Sequence, residues 1–81
     1  MKEFDLITID GKQFLVTVEN TYHTTTDIPA VRDEYEDLVL QSLRNTQVTV
    51  SNYEQVVQGL ICECLAIHVA DRKKVIEIQC L

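Results

Sequence analysis

Hydrophobic positions recur with two different periods along this chain, and the changes of period divide it into five elements. Near the start, Phe14, Val16 and Val18 alternate with Leu15, Thr17 and Glu19, and the segment 4–9 upstream is also strand-like. The intervening Asp10-Gly11-Lys12 predicts a hairpin, with a two-residue turn centred on Asp10-Gly11 (type I′) or on Gly11-Lys12 (type II′). Either register sets Ile7 and Ile9 on one face with Phe14, Val16 and Val18, and this is the expected core face. The other face carries Phe4, Leu6 and Leu15 beside Thr8 and Thr17. It is too apolar to be wholly wet and too polar to be a second core.

Further on the period lengthens. Val31, Tyr35, Leu38, Val39, Ser42 and Leu43 predict a helix over about 29–45, with Pro29 in its first turn. Asp33, Glu34, Glu36 and Asp37 fall early in it, where acids complement the helix dipole. Val48-Thr49-Val50 is a short β-like step, either a connector or an edge strand. Ser51 and Glu54 match the capping-box spacing ahead of a second helix over about 52–70. That helix rests on Tyr53, Val56, Val57, Leu60, Ile61, Cys64, Leu65 and His68. Gly59 in its middle costs roughly 1 kcal/mol against alanine and predicts close approach of a neighbour. Arg72, Lys73 and Lys74 suit a helix C-terminus. The chain closes on an alternating strand with Ile76, Ile78 and Cys80 on one face. Leu65, Ile67 and Val69 also alternate, so a hairpin over 64–81 competes with the later part of the second helix. The helix is preferred, because Gly59 is the one turn-former between Tyr53 and Ala70 and because cysteine and alanine are poor strand formers.

The expected architecture is α+β in ββααβ order, one globular domain over 1–81. Its antiparallel sheet has three strands, or four if Val48–Val50 joins, with both helices on one face. In the second helix Leu60, Cys62, Ala66, Ile67 and Val69 widen the apolar stripe beyond what one sheet should cover. That surplus, with Phe4, Leu6 and Leu15 on the outer sheet face, points to a surface that meets a partner.

Composition narrows the function. Thirteen acids against seven bases give a net charge of −6, which disfavours direct binding to nucleic acid or an anionic membrane. Apolar types make up 46% of the 81 residues, enough for one modest core. The most apolar stretch, 60–70, is too short to span a bilayer. No secretory signal is visible, and three cysteines cannot close a disulfide framework, so a reduced, cytoplasmic protein is expected. Two glycines leave no material for a glycine-built phosphate cradle.

Each chemical option has a plainer reading beside it. Cys64 and His68 stand four apart on the second helix, where both could face one metal ion, with Cys80 or His23 completing a set. The plainer reading makes Cys62, Cys64 and Cys80 small buried hydrophobes. A cysteine nucleophile with a histidine base would use the same residues, but they lie inside regular elements, and no catalytic activity or cofactor is expected. The tract Tyr22-His23-Thr24-Thr25-Thr26 reads as a polar loop. Asp33 and Asp37, with Glu34 and Glu36 alongside, form either a solvated face or one that meets a basic partner. Carboxylates at this spacing lie about 6 Å apart, comparable with phosphates along a nucleic-acid strand. Segment 27–45 holds half of the net charge.

The leading expectation is therefore an acidic protein–protein interaction module. It would be an inhibitor or adaptor for a basic, nucleic-acid-handling protein, using Asp33, Glu34, Glu36 and Asp37 with Phe4, Leu6 and Leu15. This profile has the character of short inhibitors from phages and other mobile elements, a likeness carried by no particular residue. The alternatives are a homo-oligomeric structural or regulatory domain, such as a homodimer, joined through Phe4, Leu6 and Leu15 or through the extra apolar stripe of the second helix, and a small metal-binding protein using Cys64, His68 and Cys80.

Overall fold

The computed structural model describes residues 2–19, 28–44 and 52–81. Two strands, two helices and a third strand follow one another: β1 (Lys2–Ile9), β2 (Lys12–Glu19), α1 (Ile28–Arg44), α2 (Tyr53–Ala70) and β3 (Lys74–Cys80). They form one open antiparallel sheet of order β1-β2-β3, an α+β fold of the expected ββααβ order. Val48–Val50 and the 20–27 tract lie outside the described residues.

The hairpin settles on the first of its two registers. Ile9 pairs with Lys12, and Asp10 and Gly11 take φ of 52° and 76°. Positive φ at both central positions is the type I′ geometry, whose twist matches that of the strands it joins. The register sets Ile7, Phe14, Val16 and Val18 on the buried face.

Both helices lie on that face. α1 buries Val31, Tyr35, Val39 and Leu43 and lies against β3, while α2 touches α1, β1 and β3. Contact on two sides explains why α2 buries a wide arc: Val56, Val57, Leu60, Ile61, Cys64, Ile67 and His68. Leu60 and Ile67, read from the sequence as surplus, are therefore core. Cys62, Ala66 and Val69 remain exposed. The helix runs unbroken to Ala70, which rules out the hairpin over 64–81. At Gly59 α2 lies close against β1, since a Cβ added there would stand 3.2 Å from Ile9 side-chain carbons.

Three local expectations need correction. The α2 cap is Asn52, not Ser51, and its side chain caps nothing; the amide donates instead to the Asp10 carboxylate, 2.9 Å away in the hairpin turn. A tertiary bond has taken the place of the local box. The basic run after α2 lies outside its last turn: Asp71 caps the helix, Arg72 takes a left-handed φ of 55° and Lys74 opens β3. Lys73 bonds Glu3 across the sheet, and that bond is the main reason its pKa rises. In β3 the register slips between Thr17 and Val18, so that Thr17 faces Glu77 while Val18 faces Val75. This bulge breaks the alternation. Val75 is buried with Ile78, whereas Ile76 and Cys80 are half-buried.

Candidate interaction site

The face of the sheet opposite the helices is assembled in rows by the strand register. Lys2, Glu19 and Lys74 form one row, Phe4, Thr17 and Glu77 the next, and Leu6, Leu15 and Gln79 the third. No described helix covers them. Phe4 is 62% exposed and Leu6 57%, while Leu15 is half-buried. Thr17 is buried between its neighbours Phe4 and Glu77. The three apolar residues named from the sequence thus meet in one patch. Its charged row alternates in sign across the strands, a favourable cross-strand order. With two lysines and two glutamates, the face is neutral.

The helices differ. Together they carry six acids against two bases, while the three strands carry four acids against three bases. Asp33, Glu34 and Asp37 are exposed on α1 and Glu36 is half-buried. No acid occupies the first turn of α1, which begins at Ile28. The helix dipole acts within about one turn, so it does not account for these four carboxylates. Asp33, Glu34 and Asp37 lie on the exposed side of α1, and Glu36 stands at its border toward α2.

The residues proposed for metal or nucleophile chemistry are placed otherwise. Cys64 is fully buried, and desolvation together with nearby Glu63 pushes its thiol up to about 12. It supplies almost no thiolate at neutral pH, the form that attacks or binds metal. His68 is buried too, its Nδ1 lying 2.8 Å from the Tyr35 hydroxyl, with the two rings edge to face. That hydroxyl accepts the Val75 N–H at 3.3 Å, at the bulge. The hydroxyl and Nδ1 share a second hydrogen bond, whose direction follows the tautomer of His68. Burial raises the Tyr35 pKa, partly offset by the Val75 bond. Tyr35, His68 and Val75 thus tie α1, α2 and β3 together, a joint of high sequence separation that no local pattern foretells. Cys80 stands five residues beyond Val75 along β3, about 17 Å away at the usual rise of a strand. Among the described residues no three His, Cys, Asp or Glu side chains gather as a metal-binding group. His23 lies outside them. Nor, among the described residues, is any helix long and apolar enough to cross a membrane.

Comparison with protein-family models, with curated proteins and with solved structures returned no match.

Proposed function

We propose that this protein is a non-catalytic binding module that meets a basic protein surface with the outer face of α1. The observation that carries the reading is the concentration of charge in the helices, with Asp33, Glu34, Glu36 and Asp37 placed beyond the turn where a helix dipole would account for them. Surfaces that contact nucleic-acid phosphates are basic, so an inhibitor or adaptor of a protein bearing one is the role this face suits. The reading places the protein in the cytoplasm, where its three cysteines stay reduced.

The test compares the wild-type chain with a variant carrying Asp33→Asn, Glu34→Gln, Glu36→Gln and Asp37→Asn. Each is used as bait at low salt in extracts of its own source, and the complexes are read by native mass spectrometry. A basic protein held by the wild type, released by high salt and bound at least tenfold more weakly by the variant is the expected result. Equal capture by both baits, or binding insensitive to salt, refutes it.

The open sheet face supports a second reading, self-association, because Phe4 and Leu6 are exposed side by side on a neutral surface. Three strands of this length span roughly 400 Å², about half of the ~800 Å² each partner buries in a standard interface. A dimer built on this face alone would be weak, and for that reason it ranks second. Sedimentation over a hundredfold concentration range decides it.

A further inference from the structure

Between α1 and α2 lies a groove of about 340 Å³, lined by Glu36 and Leu40 from α1 and by Tyr53, Glu54, Val57 and Gln58 from α2. The volume is at the small end of the range, about 300–1,000 Å³, that ligand clefts occupy. It suits a side chain better than a whole cofactor. Its floor is apolar: Val57 is buried and Leu40 half-buried. Its two walls each bring one carboxylate, Glu36 and Glu54. Tyr53 is 46% exposed and presents an aromatic ring at the margin.

Among the described residues no lysine or arginine lines this groove. On α1, Arg32 stands one turn before Glu36 and Arg44 one turn after Leu40; the Arg32 guanidinium donates to Gln58 Oε1 at 3.0 Å. Arg32 is held by Gln58 and is not itself among the residues that line the groove. An alkyl chain ending in a cation matches each part of this lining. The methylenes lie along Leu40 and Val57, the charge reaches Glu36 and Glu54, and the ring of Tyr53 adds cation–π attraction.

We infer that this groove is a receptor for a lysine or arginine side chain of the partner protein. The inference rests on the reading of α1 as a face for a basic partner, and it adds a specific pocket beside that face. Glu36 belongs to both. Tyr53 and Glu54 belong only to the groove, so they separate the two ideas.

The experiment is an amide NMR titration of the ¹⁵N-labelled protein at low salt with end-blocked tetralysine, and with the same peptide acetylated on its side chains. The expected result is a saturable shift of the Leu40, Tyr53, Glu54 and Val57 amides with tetralysine and none with the acetylated peptide. Glu54→Gln and Tyr53→Ala, each on the surface, should each weaken binding at least threefold while leaving the melting temperature within a few degrees. Shifts confined to Asp33, Glu34 and Asp37, with both variants binding as the wild type does, would overturn the pocket and leave the acidic face standing. Groove shifts of equal size with the acetylated peptide would overturn recognition of a cation. An absence of shifts anywhere would overturn the pocket and the basic-partner reading together.

Discussion

The two faces of the sheet share a backbone and differ in almost everything else. On the helix side Phe14, Val16 and Val18 are at most 1% exposed, and on the other side Phe4 and Leu6 are more than half exposed. The residue types are similar, and on β1 the adjacent Leu6 and Ile7 fall one on each face. What separates the faces is the cover, and with it the charge: the acidic helices lie over one side, while the other is neutral. Stability therefore resides on the covered side, and substitutions on the two sides should act in different ways.

The largest effect is expected on the covered side. Leu60→Ala removes a fully buried side chain and should cost about 4 kcal/mol in urea denaturation, whereas Phe4→Ser should stay within about 0.5 kcal/mol. Equal losses would mean that the open face is also core, covered by something else. Alkali probes the same side through its ionisable groups. The folded pKa of Cys64 lies above its unfolded value, so its contribution to stability is complete below about pH 9 and falls as pH rises toward about 12. The loss is about 2 kcal/mol at pH 10.5, and Tyr35 adds to it in the same direction. Cys64→Val should flatten the alkaline limb of the stability curve. In the native protein a thiol reagent should label exposed Cys62 and spare Cys64 until the chain unfolds.

Smaller effects sharpen the comparison. Tyr35→Phe strands the Val75 N–H and should cost about 1.5 kcal/mol. His68→Phe in the same chain should add less than its own separate cost, because the two groups share one network. On the open side, Phe4→Ser with Leu6→Ser should leave the melting temperature unchanged at low concentration and remove any rise at high concentration. Gly59→Ala is the smallest. The gain in helix propensity, about 1 kcal/mol, is opposed by the 3.2 Å approach to Ile9, and the net change should stay within about 0.5 kcal/mol.

Element order and type were readable from the sequence because they rest on period alone. Phe14, Val16 and Val18 alternate, and Val31, Tyr35 and Val39 recur every four residues. The continuity of α2 followed from the lack of turn-formers, and the close approach at Gly59 from its cost. The remainder is tertiary. Asn52 abandons its cap for Asp10, 42 positions away, and Tyr35 finds His68 over 33. The β3 bulge inserts one residue without changing composition, so Val75 and Ile76 exchange places with no local sign. Of the candidate surfaces, Phe4, Leu6 and Leu15 were visible because a two-residue hairpin fixes the face. The groove at Tyr53 was not, because its walls come from two helices whose crossing no single pattern reveals.

One further position bears on how far this molecule can assemble. Asp5 pairs with Val16 in the register, so it belongs to the helix-side face of β1, yet it is exposed at the outer edge of the sheet. An eight-residue edge strand invites another strand to continue the ladder, and repetition of that event yields fibres. A carboxylate pointing inward at the edge would be trapped in the seam of any such extension. A charge placed there disfavours extension along β1, the direction in which growth would have no limit.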